Sequence, residues 1–579
     1  MVETESLLAV DVGASTTRAT LFDVVEGYYR FIASGQAMTT ASAPFKNVGE
    51  GVRQAIENLQ TVTGRRFLDA DLHLIVPYQE GSGVDAFAAT ISAGPTLKTA
   101  VVGLLLDISF KSAHRLARTI YSRVVDTIGM NDRRKPEEQI DSLLHLRPDL
   151  ILIAGGTDGG ATRAMQKLLE TIGLACYLLP ADKRPAVLFV GNQKLAAEVK
   201  ASLQSLTSSL TIGSNLRPTL EIEDLLPAQR SLADLYATIR RSQIGGVEEL
   251  NAWAGGNLMP TAYAQGRIIR FLSQVYDSRK GILGIDIGAS AATVAAAFGG
   301  ELTLGVYPQF GLGEGLAGLL GYTNVEDILR WLALDIPAGV VQDYLHQKSL
   351  YPTTLPATAE DLALEQALTR QNLYLALNAT SKDFSHHTQW LVPGMTPFFE
   401  PILAAGSAIT NAPTLGQSLM ILLDAIQPVG VTTLILDQNN LLPALGAAAN
   451  LNSILPIQVL ESGAFLGLAS VVAPVVSAQP GTPILRVRLV NKNGNEIRLE
   501  VKQGALEVLP LPSGQSGRLF LEPLHRADVG FGAGRGGNMT VSGTALGVVI
   551  DARGRPLRFP ADHGQRRELL KKWLWTVGG

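Results

Sequence analysis

A chain of 579 residues is too long for one ordinary core, so three or four domains are expected. Apolar residues make up 46% and charged residues 17%, with a formal net charge of −4, which excludes a mainly disordered chain and gives no electrostatic basis for nucleic-acid binding. The single cysteine, Cys176, excludes an intrachain disulfide framework and a Cys-based zinc site, and its apolar setting, LACYLLP, reads as a buried inert thiol.

The chain opens on MVETESLL, acidic where a secretory signal needs positive charge. The apolar runs VVGLLLDISF and AFLGLASVVAPVV are too short or too interrupted for a bilayer, which takes about 20 residues. A cytoplasmic protein with no membrane span is expected. LLAVDV reads as a buried strand, GAST as a turn, and TRATLFDV and YRFIASGQA as further strands of an antiparallel meander; GVRQAIENLQTVTG has helical spacing. From about Leu97 the pattern becomes alternating: strand TAVVGLLLD, one helix over 112–129, strand DLILIAGG, helix TRAMQKLLETIG, strand PAVLFVGN, helix KLAAEVKASLQSL and strand LTIGSN. Such alternation predicts parallel strands covered by helices.

A second cycle starts with strands GILGIDIGA and AATVAAAF, followed by a mostly helical stretch from about Gly311 to Ser381, then strand PILAAGSAIT and strand TTLILD. QPGTP reads as a linker. Beyond it, apolar and polar residues alternate around Asn493-Gly494, a hairpin signal that predicts a separate β domain. The ending RRELLKKWLWTV reads either as a segment lying on an anionic membrane surface or, as expected here, as a packed terminal helix with Trp573 and Trp575 inward and Arg566, Arg567, Lys571 and Lys572 wet.

The two cycles share a signature. VDVGASTTRATLF begins at Val10 and IDIGASAATVAAAF at Ile285, and each half later supplies an apolar strand ending in a small-residue turn, LILIAGGTDGG in one and PILAAGSAIT in the other. An Asp-x-Gly turn also joins tight antiparallel strands in many α/β proteins, so one copy alone says little. The pair resembles the superfamily of actin, sugar kinases and heat-shock chaperone ATPases (ASKHA, ribonuclease H-like), in which two related domains close on a nucleotide. The chemistry suits the residues: a glycine turn exposes backbone N–H groups to phosphate, hydroxyls add donors, and a strand-end Asp holds Mg²⁺ or orients water.

Most of the chain further resembles the glutamate mutase accessory family, called GlmL or MutL. The matching segments are VDVGASTTRATLFDV, LILIAGGTDGG with FVGNQ, NLRPTLEIEDL, NLMPTAYAQ, IDIGASAATV, the run from AAGSAITNAPTLGQ to LLPALGA, and GVVIDARGRPLRFP. The resemblance implies a duplicated actin-like ATPase core of α/β class, with an inserted βα module and a C-terminal all-β domain. The expected divisions are 1–96 and 97–280 for the first lobe and its module, 281–478 for the second lobe and 479–579 for the tail.

It also implies ATP and Mg²⁺ as ligands. Asp11 and Asp286 would be the catalytic pair, with Asp11 approaching the metal. Gly13, Ala14, Ser15, Thr16, Thr17 and Arg18 would surround the phosphates, faced from the other lobe by Gly288, Ala289 and Ser290. Gly406 and Ser407 would let adenosine lie against the backbone. The implied function is that of a nucleotide-binding accessory or chaperone-like protein acting on an adenosylcobalamin-dependent mutase or another partner enzyme. The family's second turn usually reads DIGGATTDV, whereas here Ala289 replaces a glycine and Thr293 the second Asp, and Ser407 and Arg18 replace a common glycine and lysine. These departures predict slow or absent ATP hydrolysis, with a non-hydrolysing actin-like scaffold as the alternative.

Four other features stand apart. Asp437 reads either as a site carboxylate or as a helix cap, and Gly155, Gly156, Thr157 and Asp158 either as a partner or anion loop or as a tight turn. GFGAGRGG lacks a strand-to-helix setting and reads as a β loop. The His386-His387 pair reads as solvent-exposed.

Overall fold

The computed structural model describes residues 5–277, 279–384, 388 and 394–579; the His386-His387 pair lies outside them. β1 (Ser6–Val12), β2 (Thr16–Val25) and β3 (Tyr28–Met38) form an antiparallel meander, and β4 (Ala86–Ile91) runs parallel to β1. Every residue of β1 is buried, as befits a central strand covered on both faces. Helix Gly49–Thr63 packs beneath the meander through Val52, Ala55, Ile56 and Leu59, spaced by three and four residues.

β5 (Leu97–Gly103), β6 (Ser122–Gly129), β7 (Leu150–Ile153), β8 (Ala186–Phe189) and β9 (Ser209–Ile212) make a separate parallel sheet in the order β6-β5-β7-β8-β9. The single helix expected over 112–129 is corrected: helix Lys111–Ala117 ends early and the chain continues as β6. That second half, SRVVDTIG, carries two valines, a threonine and an isoleucine, whose branched Cβ atoms favour the pleated backbone. β10 (Met259–Pro260) then rejoins the first sheet beside β4.

The second half repeats the first. β11 (Gly281–Ile287), β12 (Ala292–Phe298), β13 (Glu301–Tyr307), β14 (Phe399–Ala405) and β15 (Gly430–Leu436) take the order β13-β12-β11-β14-β15, against β3-β2-β1-β4-β10 in the first sheet. Strand directions match as well, so the duplicated actin-like α/β core with its inserted βα module is present. The internal pairing differs from the sequence reading. β14 corresponds to β4, whereas LILIAGG is β7 of the inserted sheet.

β16 (Leu466–Ala473) continues the second sheet. The tail supplies β17 (Pro483–Asn491), β18 (Glu496–Lys502), β19 (Leu506–Leu509), β20 (Ser516–Pro523), β21 (Gly537–Ser542) and β22 (Val548–Asp551). β18-β17-β20-β21 is a sheet of its own, with the Asn493-Gly494 turn joining its first hairpin, and GFGAGRGG is a loop leading to β21. β22 and β19, in contrast, extend the second-half sheet past β16. A buried ion cluster fastens the same junction. Asp424 accepts from Arg370 Nε at 2.9 Å and Arg553 Nη1 at 2.6 Å, while Asp551 accepts from Arg553 Nε at 2.8 Å and Arg555 Nη2 at 2.7 Å. The terminal helix, His563–Thr576, buries Trp573 beneath the Arg553 guanidinium, but leaves Trp575 84% exposed and buries Arg566. Residues two apart on a helix point to different sides, which corrects the expectation that both tryptophans turn inward.

The halves meet along an apolar seam that joins Leu7, Ala9 and Phe22 of the first to Leu441 and Leu445 of the second through Ile268 and Ile269. Helices Thr261–Val275 and Leu441–Ala448 cross there so closely that a Cβ on Gly446 would stand 2.0 Å from the Ala264 carbonyl oxygen. Arg267 Nη1 donates to the Gly446 carbonyl at 2.7 Å.

Candidate functional site

β1 and β11 hold equivalent places in their sheets, so the turns after both open toward the space between the halves. A cavity of about 500 Å³ occupies that space. Its wall takes Asp11, Gly13, Ala14, Ser15, Thr16 and Arg18 from the first half. From the second it takes Asp286, Gly288, Ala289 and Ser290, with Gly406 and Ser407 after β14 and Asp437 after β15. Thr17 is placed otherwise. It lies on the opposite face of β2, fully buried, with its hydroxyl 2.9 Å from that of Thr39, which donates to the Gly13 carbonyl at 2.8 Å. Thr17 thus braces the turn from behind, as strand alternation requires for a residue between Thr16 and Arg18.

Asp11 is held by three neutral donors. Its Oδ1 accepts from Thr90 Oγ1 at 2.6 Å and Thr261 Oγ1 at 2.8 Å, and its Oδ2 accepts from Asn440 Nδ2 at 2.9 Å. Burial nevertheless raises its pKa, against the pull of these donors and of Arg18. Asp286 is raised to about 7, first by desolvation and then by the charges of Asp11 and Asp437. Asp437 caps helix Leu441–Ala448, accepting from Leu441 N at 2.7 Å and Leu442 N at 2.9 Å, as the cap reading expects, and its carboxylate also lines the cavity. Desolvation raises it to about 6.

Against these three carboxylates stands Arg18, whose Nε is buried without an acceptor among the described residues. Desolvation lowers its pKa, while Asp11, Asp437 and Asp286 act to raise it. Lys348 also reaches the wall, but it is neutralised by Glu365, whose Oε2 accepts from Nζ at 3.0 Å. The site is therefore rich in carboxylate and short of cations.

Both glycine turns are closed by their own backbone. Gly13 N donates to Thr16 O at 3.1 Å and Gly288 N to Ala291 O at 3.0 Å. The next two amides of each turn, at Ala14, Ser15, Ala289 and Ser290, donate to no protein acceptor among the described residues. The second turn is braced by Leu312, whose amide donates to Gly288 O at 2.9 Å. Gly406 has φ +101° and lies against β11, where a Cβ would come within 2.3 Å of the Ile287 carbonyl oxygen. Only glycine fits that position.

Several site residues escaped the sequence reading. Thr261 and Asn440 fall within the stretches NLMPTAYAQ and DQNNLLPALGA that carry the family resemblance, but no motif singles them out. Thr90, Lys348 and Glu365 carry no local signal. The Gly155–Asp158 loop lies at the carboxyl edge of the inserted sheet. There Asp158 Oδ1 accepts from Gln193 N at 3.0 Å and Asn215 Nδ2 at 2.9 Å, so it ties neighbouring loops together. Cys176 is buried, and desolvation pushes its thiol up to about 11.

The family model described as MutL protein matches residues 7–463 of the chain. A curated relative, Protein MutL of Clostridium tetanomorphum, is 25% identical over 305 residues, which is 51% of this chain and 59% of the relative, so the match spans less than two thirds of the relative's length. Among solved structures, ethanolamine utilization protein EutJ from Carboxydothermus hydrogenoformans is similar over 76% of this chain and 89% of its own, at 9% identity and a TM-score of 0.27. Xylulose kinase from Bifidobacterium adolescentis is similar over 78% of this chain and 93% of its own, at 11% identity and a TM-score of 0.26.

Proposed function

Because the chain belongs to the MutL protein family, we propose that it is a nucleotide-binding accessory protein: Mg-ATP binds between its halves, and the resulting closure acts on a partner enzyme of the adenosylcobalamin-dependent mutase class. One observation carries the reading. Two duplicated Asp-x-Gly turns and the carboxylates of Asp11, Asp286 and Asp437 converge on a single cavity.

The donor set fits the ligands. A phosphate oxygen would supply the acceptor that Arg18 Nε lacks, and the open amides at Ala14, Ser15, Ala289 and Ser290 suit phosphate as well. Three carboxylates in one wall would repel a bare triphosphate, so the anion needs a cation with it. Hard carboxylate oxygens are Mg²⁺ ligands, and Asp11, with Asp286 across the cleft, would hold the ion directly or through water. Bound there, Mg²⁺ supplies charge neutralisation between carboxylates and phosphates. Gly406 and Ser407 would lie along the nucleoside.

Turnover is proposed to be slow. The second turn presents Ser290 among Ala289, Ala291 and Ala292, so side-chain donors toward a terminal phosphate are few. Asp286, near the end of β11, is the carboxylate that would orient the attacking water. The test is calorimetry and phosphate release with Mg-ATP on wild type, Asp11→Asn and Asp286→Asn. Binding with slow release that Asp286→Asn abolishes is the expected result. Binding without release supports a scaffold that does not hydrolyse, and a protein indifferent to ATP overturns the proposal.

A further inference from the structure

A second cavity, of about 950 Å³, lies beside the first, where the 41–46 loop, the inserted module and the second half come together. Sites for small molecules have volumes of this order. The two cavities share Tyr121 and Val306 in their walls. At that partition Val306 N donates to Arg118 O at 2.7 Å, fastening β13 to the module.

The wall of the second cavity is positive. Lys46, Arg118 and Arg123 line it, with His114 beside them, against one carboxylate among the described residues, Glu314. Arg118 is shared with Asp383, its Nη1 lying 2.9 Å from Oδ2. Lys46 and Arg123, both exposed, have no ion-pair partner among the described residues. Burial and the Arg118 charge together hold His114 below the usual imidazole pKa, the direction a positive wall imposes.

Behind this wall lies Arg240, on helix Leu226–Gln243, with none of its surface exposed. Its Nη1 donates to Gln243 Oε1 at 2.8 Å, and the place a Cβ on Gly94 would take is 3.0 Å from the same nitrogen. Gln243 and Gly94 both belong to the second cavity's lining. Among the described residues, Arg240 Nε and Nη2 have no acceptor and the guanidinium has no carboxylate partner. Stacking on the Tyr236 ring, 4.7 Å away, is a weak substitute for a counter-charge. A desolvated guanidinium without an anion is strongly unfavourable.

We infer that this second cavity is a binding site for a small anion bearing carboxylate or phosphate groups, gripped by Lys46 and Arg123 at its rim and compensating the buried charge of Arg240 behind Gln243. A carboxylate and a phosphate offer the same acceptor oxygens to such a wall, so the experiment distinguishes them. The proposal is independent of nucleotide binding in the first cavity, and either can fail without the other.

The test titrates the full-length protein, free of nucleotide and Mg²⁺, with citrate and, separately, with inorganic phosphate at matched ionic strength. Saturable binding of at least one anion is expected, weakened about tenfold or more in Lys46→Ala/Arg123→Ala, whose positions are exposed and leave the core intact. Arg240→Met is expected to weaken it too; if that variant does not fold, the rim variant decides. Arg18→Ala, in the first cavity, is expected to leave the affinity unchanged. Heats equal to a sodium chloride blank for both anions up to about 20 mM would overturn the proposal. So would an unaltered affinity in the rim variant, or a loss confined to Arg18→Ala.

Discussion

Asn440 Nδ2 donates to Asp11 Oδ2 at 2.9 Å, joining a residue that follows β15 in the second half to the carboxylate near the end of β1 in the first. Asn440 has φ +53° and ψ +48°, a left-handed conformation that asparagine tolerates better than most residues. The cleft is thus bridged at its acidic end by a hydrogen bond to a carboxyl group.

Replacing Asn440 separates the bond from the backbone. Asn440→Gly keeps the left-handed conformation and loses the bond, for an expected destabilisation of about 1.5–3 kcal/mol. Asn440→Ala adds backbone strain of roughly 1 kcal/mol. Denaturant midpoints measure both. Equal stability of Asn440→Gly and wild type would mean that the bridge does not hold the halves together.

Stability of the ligand-free protein depends on pH through the same cleft. Asp286, raised to about 7, and Asp437, raised to about 6, stay protonated in the folded chain where the unfolded chain has already released those protons. The folded state binds more protons between about pH 4 and 7, so stability falls as pH rises through that window and levels off above it. Asp286→Asn is expected to flatten the fall and to exceed wild type at pH 8 by up to about 4 kcal/mol, with no gain at pH 4. Chemical denaturation across this range reads the slope, and identical slopes in the two proteins would refute the assignment.

Nucleotide affinity is expected to require a divalent cation and Arg18. Chelation with EDTA should weaken ATP binding by at least about tenfold, because the carboxylates of the cleft outnumber its unpaired cations. Arg18→Ala removes a charge-assisted donor and should weaken Mg-ATP by about ten- to a hundredfold. Calorimetry with and without Mg²⁺ reads both effects. ATP affinity indifferent to EDTA would count against Mg²⁺ in this site.

The ion cluster at the tail makes a prediction about stability alone. Arg553 bridges Asp424 and Asp551, and all three side chains are essentially inaccessible. Arg553→Ala leaves two buried carboxylates short of charge and is expected to destabilise by about 3–5 kcal/mol. A thermal unfolding curve unchanged by the substitution would show that the tail does not rely on this junction.

Legibility from sequence followed how local each feature is. The two Asp-x-Gly turns, the parallel strands of the module and the Asn493-Gly494 hairpin are set by neighbouring residues, and all are found where the spacing puts them. Over 112–129 local reading failed, because an apolar run with mixed branching suits helix and strand alike until its packing partners are known. The match of β14 to β4 was hidden for a similar reason: AFAATI has no punctuation, whereas the glycine-rich end of β7 resembles β14 without sharing its place in a sheet.

By itself, the amino-acid order determined the repeated turns, the alternating strands and helices of the module, and the scarcity of hydroxyls in the second turn, since each depends on residues a few positions apart. Only the folded chain decided that Thr90, Thr261 and Asn440 converge on Asp11, that Thr17 faces away, and that Arg240 is buried without a counter-charge among the described residues. Those relations join residues as far as 429 positions apart, and they arise from how sheets stack and helices cross, which no local pattern encodes.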